Sequence, residues 1–317
     1  MQEQKMRIAL LAGGTSGERE VSLNGAAEVE RALDPERFQV TRYDPACDLA
    51  KLVGDAGEID FAFILLHGVN GEDGTVQGML DLLGIPYQGS GVLGSAVAMD
   101  KYLSKELYRL HGLPVADCVV IRPGGGDSLQ GIVDRLGLPL IVKPVREGSS
   151  LGLTIAGSVE ELRTGIETAK KHDRQVMVEQ FIKGREITAA VLGNDDPTAL
   201  PLIEIIPGDG FTFFDYTAKY QPGASREICP APLSPELTAE AQRYALAAHA
   251  ALRLRGYSRT DMILDQSGRF FLLETNTIPG MTATSLMPQA AAKHGLDFPQ
   301  FLERLIELAV EDRRVQG

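Results

Sequence analysis

Apolar runs and helix-spaced apolar positions alternate along the first part of the chain. Residues 6–12 (MRIALLA) form an apolar run, the pattern of a strand buried in a parallel sheet. Val21, Ala26, Val29 and Leu33 then recur at helical spacing. Residues 38–43 and 60–66 (DFAFILL) predict a second and a third strand, and 75–83 a further helix. Strands alternating with helices predict an α/β arrangement with a parallel sheet, whose ligands gather at the carboxyl ends of the strands. Glu18 and His67 both lie at such ends and could face one cleft. The glycine-rich turn at Gly13-Gly14 lacks the G-x-G-x-x-G dinucleotide pattern, and Glu18 and Glu20 would repel a pyrophosphate. A carboxylate there suits an ammonium group. A plain strand–helix turn with acids at the helix N-terminus, and a structural histidine, fit the same residues.

The texture changes beyond the passage 86–95, whose Gly89, Gly91 and Gly94 predict a domain boundary near residue 98. A helix is expected from Asp100 to about His111, stopped by Gly112 and Pro114. Strand-like runs follow at 115–121, 140–143, 175–181 and 187–192, with a helix ending at Leu136 between the first two. A hinge near Gly184 would separate a small α+β unit, 99–184, from the remainder, 185–317. Residues 235–254 predict a long helix and 297–309 a final amphipathic one.

Chemistry enters at four places. Lys143 ends an apolar strand and leads into Glu147-Gly148-Ser149-Ser150-Leu151-Gly152, a loop rich in free N–H groups and hydroxyls that could cover phosphates. It is not a Walker A sequence, and a lysine at a strand end is commonly a solvated charge. Glu179 and Glu186 sit in or beside apolar strands, where an acid suits ribose hydroxyls or an adenine amino group; an edge charge is the alternative. The segment 207–235 holds several Pro and Gly, the aromatics Phe211, Phe213, Phe214, Tyr216 and Tyr220, and Lys219, which reads as a lid that excludes water. Residues 257–264 and 269–273 flank Asp265-Gln266-Ser267-Gly268 and read as a hairpin. A two-residue loop would pair Asp261 with Leu272 and Arg259 with Glu274, placing Arg259, Asp261, Glu274 and Asn276 on one face. Two carboxylates and an amide there suit a hard cation. On its own the hairpin equally fits a solvated sheet face with a cross-strand Arg–Glu pair, and one residue more in the loop would turn one strand over.

Composition narrows the class. The 317 residues exceed what one core usually serves; 44% are hydrophobic and 23% charged, as in soluble globular proteins. A net charge of -12 argues against nucleic-acid or acidic-membrane partners while leaving room for a local cationic pocket. No run is long enough to span a bilayer, and residues 1–5 lack the apolar core of an export signal, so a cytoplasmic protein is expected. Cys47, Cys118 and Cys229 are isolated, and the five histidines show no metal-binding spacing.

Taken in order, Gly13-Gly14-x-Ser16-x-Glu18, His67-Gly68-x-x-Gly71-Glu72-Asp73-Gly74, Lys143-Pro144-x-x-Glu147-Gly148-Ser149-Ser150-x-Gly152, Tyr216-x-x-Lys219-Tyr220, Arg259-x-Asp261 and Glu274-x-Asn276-x-x-Pro279-Gly280 resemble the D-alanine–D-alanine ligases of the ATP-grasp superfamily. The resemblance implies a three-domain ATP-grasp fold with an N-terminal parallel-sheet domain (1–98), a central domain (99–184) and a C-terminal domain (185–317) carrying the lid 207–235. It implies ATP-dependent joining of two D-alanines through an acyl phosphate, for peptidoglycan. Lys101, Lys143, Ser149, Ser150, Lys219 and Asn276 would serve the ATP phosphates, and Glu179, Ile182 and Glu186 its base and ribose. Asp261, Glu274 and Asn276 would bind two Mg²⁺ or Mn²⁺ ions; a monovalent cation is left open. Glu18, linked through Ser149 and Tyr220, would receive the first ammonium, with His67 near that substrate's carboxylate. Arg259 and the Gly280 N–H would stabilise the oxyanion, and Ser285 and Leu286 would hold the second substrate. A cytoplasmic bacterial homodimer is implied. Three positions depart from the family pattern: Thr260 and Thr275 stand where it usually has aliphatic residues, and Phe214 where many members have Tyr. Alternation turns both threonines away from the ligands. D-alanine–D-lactate and D-alanine–D-serine ligases are the near alternatives, and Lys219-Tyr220 favours an amine nucleophile. A non-catalytic nucleotide-binding regulator is the alternative of another class.

Overall fold

The structure, a computed structural model, describes residues 4–125, 128–148, 151–208 and 225–316. The chain begins with β1 (Met6–Leu11), α1 (Arg19–Ala32), β2 (Phe38–Tyr43), α2 (Leu49–Gly54), β3 (Phe61–Ile64) and α3 (Thr75–Leu83). The strands form a parallel sheet in the order β2-β1-β3, as the alternation of strand and helix predicts. Both faces of β1 are covered. Ile8 and Leu10 point into one apolar cluster, Ala9 and Leu11 into another.

Next come α4 (Val92–Met99), α5 (Lys101–Leu110), β4 (Cys118–Ile121), α6 (Leu129–Leu136), β5 (Leu140–Pro144), β6 (Thr154–Ala156), α7 (Val159–Ala169) and β7 (Val176–Gln180). Asp100 starts α5 by accepting the Leu103 N–H at 2.9 Å. These strands make an antiparallel sheet in the order β4-β7-β5-β6, backed by α6 and α7 through Ile132, Leu162 and Ile166. The helix α7, begun by the Ser158 cap, is an element for which the sequence reading had no expectation.

The third part runs through β8 (Gly184–Leu192), β9 (Thr198–Ala199), β10 (Ile203–Pro207), β11 (Ser225–Ile228), α8 (Pro235–Ala251), β12 (Tyr257–Asp265), β13 (Phe270–Asn276), α9 (Leu286–His294) and α10 (Phe298–Gln316). Its sheet has the order β11-β10-β8-β12-β13, with β9 on β8. Ile187, Ala189 and Met262 on one face of that sheet pack against Ala241, Ala245 and Ala248 of α8. Phe301, Leu302 and Leu305 of α10 return to the core of the first sheet with Ile8 and Leu10. The ends of the chain thus share one core. No helix among the described residues is long and apolar enough to cross a membrane.

Two expectations need correction. The hairpin loop has three residues, 266–268, because the Asp265 carboxylate accepts the Ser267 and Arg269 N–H groups (2.8 and 2.9 Å) and Gly268 takes a left-handed φ of 83°. That one extra residue would put Asp261 opposite Leu273. A β-bulge between Asp261 and Met262 restores the face: Met262 pairs with Leu272, whereas Asp261 pairs with Glu274 and Arg259 with Asn276. The second correction concerns Gly184. It is the first residue of β8, paired with Asp265, and not a free hinge. A Cβ there would lie 2.2 Å from the Leu264 carbonyl oxygen. Gly184→Ala should therefore cost about 1–3 kcal/mol through overpacking; urea unfolding at wild-type stability would show that the strands separate without strain.

Candidate active site

The hairpin divides its side chains between two surfaces. Thr260 and Thr275 point to the buried face, where their hydroxyls lie 2.9 Å apart and Tyr108 OH donates to Thr275 Oγ1 at 2.7 Å. Their polarity is thereby satisfied inside the core, which explains why hydroxyl residues fit positions where aliphatic ones are usual. Arg259, Asp261, Glu274 and Asn276 share the other face. Asp261 is 5% exposed and accepts from Thr188 Oγ1 at 2.6 Å, from Arg259 Nε and Nη2 at 2.9 and 2.8 Å, and from Asn276 Nδ2 at 3.2 Å. Lys101 Nζ lies 3.2 Å from Glu274 Oε2. Carboxylates directly opposite on neighbouring strands repel, and these cations offset the repulsion. Arg259 is accordingly turned onto Asp261 in this structure.

A cavity opens between the hairpin and the central sheet. Lys101, Lys143, Glu147, Glu179, Ile182, Glu186, Asp261, Ile263, Leu273 and Glu274 line it. Leu273 and Glu274 are consecutive yet both reach the cavity, as the bulge allows. Lys143 Nζ sits 2.6 Å from Glu179 Oε1, and Lys105 Nζ sits 2.9 Å from Oε2. Burial pushes the Glu179 carboxyl up, but Lys105 and Lys143 outweigh it and hold it at about 2. Burial likewise lowers the Lys143 ammonium, and Glu179 and Glu274 reverse that shift to a net rise.

Lys101 also donates to the Glu147 carbonyl at 2.6 Å, tying the glycine loop to the hairpin. On the other side of that loop lies Glu18, at the start of α1 and 7% exposed. A Cβ on Gly148 would stand 2.6 Å from Glu18 Oε2, and one on Gly68 3.6 Å from it. His67 is buried in the same region; burial lowers its imidazole below the usual value, with Glu18 opposing. Glu72 reaches in from the turn after β3 and accepts the Gly68 N–H at 2.8 Å. Burial, reinforced by Glu18, pushes its carboxyl up to about 8. Beyond β13, Ser285 opens α9; its Oγ accepts the Thr282 N–H at 3.1 Å and lies 3.0 Å from where a Gly280 Cβ would be.

The structure therefore gathers Lys101, Lys143, Glu179, Ile182, Glu186, Asp261 and Glu274 around one cavity, with Arg259 and Asn276 on the same hairpin face. Glu18 and His67 cluster at the strand ends, as expected, and Gly280 and Ser285 adjoin each other. Leu286 packs its side chain in the core of the first sheet, so only its backbone could meet a ligand. Ser149, Ser150, Lys219 and Tyr220 lie outside the described residues, as do Phe214 and Tyr216. Lys105 and Thr188 carry no expectation of a site role in the sequence, and Glu72 is named there only as part of a family motif, with no role. Lys105 follows Lys101 by one helical turn, and Thr188 follows Glu186 by one strand period; those spacings were the available signals.

Comparison with known proteins decides the family. Residues 107–307 match the family model described as D-ala D-ala ligase C-terminus, and 46–90 the one described as D-ala D-ala ligase N-terminus. The chain belongs to the D-alanine–D-alanine ligase family. It is 62% identical over 315 residues to the D-alanine–D-alanine ligase of Desulfotalea psychrophila, covering 98% of both chains. It is 59% identical over 312 residues to that of Syntrophobacter fumaroxidans, covering 98% of this chain and 100% of the relative. Among solved structures, the Bacillus anthracis D-alanine–D-alanine ligase complexed with ATP aligns with a TM-score of 0.86 at 34% identity, over 98% of this chain and 100% of that one. The VanG D-Ala:D-Ser ligase of Enterococcus faecalis aligns with a TM-score of 0.83 at 33% identity, over 96% and 100%. The fold is thus that of the D-alanine–D-alanine ligases, with a parallel-sheet N-terminal part.

Two tests follow from the geometry. Gly148→Ala should push the Glu18 carboxylate aside and raise KM for D-alanine about tenfold, a loss of roughly 1.4 kcal/mol, with KM for ATP little changed; equal KM values for D-alanine would free Gly148 of that role. For Glu72, the folded pKa of about 8 lies above the ordinary 4.5, so the native state favours the neutral acid. Wild-type stability should fall as pH rises from 4.5 toward 8. Glu72→Gln should match the wild type at the acid end of that window and become increasingly the more stable toward the alkaline end. Parallel stability curves in pH-dependent denaturant titrations would refute the raised carboxyl.

Proposed function

We infer that this chain joins two D-alanines to D-alanyl-D-alanine at the expense of ATP, giving ADP and phosphate, for peptidoglycan synthesis. One observation carries the reading. Two lysines, Lys101 and Lys143, and the carboxylates of Glu179, Glu186, Asp261 and Glu274 face one cavity, and the family's motifs include Lys143, Asp261 and Glu274.

The nucleotide would lie between the central sheet and the hairpin, with Lys101 and Lys143 on its phosphates and Ile182 and Glu186 toward base and ribose. Glu179 would receive the adenine amino group. Asp261, Glu274 and Asn276 fit Mg²⁺ or Mn²⁺, because all three offer hard oxygen donors on one face. No three His, Cys, Asp or Glu side chains gather into a metal cage among the described residues. When bound, such an ion supplies charge neutralisation to the transferring phosphoryl group. The chain's own residues do the rest. Glu18 receives the first D-alanine's ammonium, and His67 stands near its carboxylate. The γ-phosphoryl group passes to that carboxylate and makes a poor electrophile a good one. Arg259, released from Asp261, and the Gly280 N–H stabilise the oxyanion when the second amino group attacks, and phosphate leaves. Ser285 holds the second carboxylate. Ser149 and Tyr220 would link to Glu18, and Ser150 and Lys219 would reach phosphate. The lid 207–235 would keep water from the acyl phosphate.

The three-part division at 98 and 184 belongs to the same proposal, as do the homodimer and the cytoplasmic setting. It draws support from the three sheets and from the bacterial relatives. The decisive assay incubates the protein with ATP, Mg²⁺ and D-alanine, D-serine or D-lactate and identifies the products. D-alanyl-D-alanine with equimolar ADP and phosphate is expected. A mixed product favoured over it, as the VanG alignment invites one to check, would reassign the second substrate; no ADP with any of them would indicate a regulator.

A further inference from the structure

Glu179 on β7 stands between two lysines from different elements. Lys143 Nζ at the end of β5 is 2.6 Å from one oxygen, and Lys105 Nζ on α5 is 2.9 Å from the other. The lysines are not equivalent. Lys143 lines the cavity together with Glu179. Lys105 is 0% exposed, and its ammonium also donates to the Leu272 carbonyl at 3.1 Å on the outer edge of β13.

We propose that Lys105 is a positioning residue for the nucleotide: it is the standing counter-ion of Glu179 and so releases Lys143 to a nucleotide phosphate. The proposal rests on the ATP-site reading above.

Charge balance carries it. One carboxylate between two ammonium groups leaves that triad with one positive charge in excess. Without Lys105, Glu179 would neutralise Lys143. A phosphate could then gain Lys143 only by stripping a buried carboxylate of its remaining partner, which is strongly unfavourable. Lys105 cannot make that exchange itself, because it is sealed from solvent and fastened to the backbone of β13. Its neighbour on the same face of α5, Lys101, shows the contrast: it lines the cavity and reaches Glu274 and the Glu147 carbonyl. One helix thus sends one ammonium to the cavity lining and another, sealed from solvent, to the far side of Glu179. Burial lowers the Lys105 ammonium from its usual value, and Glu179 is what chiefly opposes that fall.

Steady-state kinetics of the full chain test the idea. Lys105→Met keeps the stem and removes the charge, while Glu179 retains Lys143. KM for ATP should rise about tenfold or more, with kcat within about threefold and KM for D-alanine unchanged. In a Glu179→Gln background Lys143 is already released, so adding Lys105→Met should change KM for ATP by less than about twofold. The proposal is overturned by an unchanged KM for ATP in the single variant. It is equally overturned by lower kcat and thermal stability at unchanged KM, or by the same penalty in both backgrounds. Should the wild type bind ATP yet form no dipeptide, the ligase reading fails, and calorimetric ATP affinities of the same variants still decide the role of Lys105. Absence of ATP binding by the wild type would sink both.

Discussion

The register of β12 against β13 is the constraint on which the site depends. Side chains alternate along a strand, so Asp261 and Glu274 can meet over the same ligand only if the pairing places them on one face. The three-residue loop alone would set Asp261 against Leu273. The bulged residue corrects the phase, and in doing so lets Leu273 join Glu274 at the cavity. The opposite face gains as well. Thr260 and Thr275 come into register as a hydrogen-bonded pair, and Tyr108 of α5 closes on them. One extra residue therefore fixes both the polar face and the packing of the helix that delivers Lys101 and Lys105.

Fixing carboxylates this close creates a charge problem that the rest of the cleft answers. Arg259 and Thr188 hold Asp261, Lys101 holds Glu274, and Lys143 with Lys105 holds Glu179. Arg259 comes from the same strand as Asp261, whereas the three lysines come from other segments, so their ion pairs also join sheet, helix and hairpin. Surface pairs of this kind contribute little, whereas partly buried ones are costly to break singly. A polyanionic ligand changes that balance because it brings its own charge. Under the proposed assignment, Lys101 and Arg259 would then leave Glu274 and Asp261 to the ion that accompanies the phosphates, while Lys105 stays on Glu179. The acid around Glu18 is answered differently: desolvation and Glu18 push the Glu72 carboxyl up to about 8, and burial keeps His67 below its usual value.

Much of this was legible in the sequence because local patterns carried it. The runs at 6–12 and 38–43 and the periodicity at 75–83 gave strands and a helix where the structure has them. Alternation alone turned Thr260 and Thr275 inward. The family motifs added the residues that meet at the cavity. What escaped was set by contacts rather than by pattern. The loop length follows from the Asp265 side chain capping its own turn, which a search for two-residue turns overlooks. The bulge leaves no compositional trace at Leu273. Gly184 reads as flexible in isolation and proves to be a point of close strand approach. Lys105 looks like a solvated helix charge until α5 is laid against the edge of β13.

The glycine loop shows how the two halves of the cleft are joined. Its Glu147 carbonyl is held by Lys101, whose ammonium also faces Glu274 on the hairpin. One residue later, Gly148 lies against Glu18 with no room for a side chain. Its position is therefore read from both sides, by charge at one end and by steric contact at the other. A displacement of Lys101 toward a phosphate loosens the first restraint while the second remains. The loop can then shift only along directions that keep clear of Glu18. Under the proposed assignment, occupation of the nucleotide end would bear on the geometry at the amino-acid end through a single residue step. A side chain at 148 would meet the end of the Glu18 side chain, which must move aside to admit it.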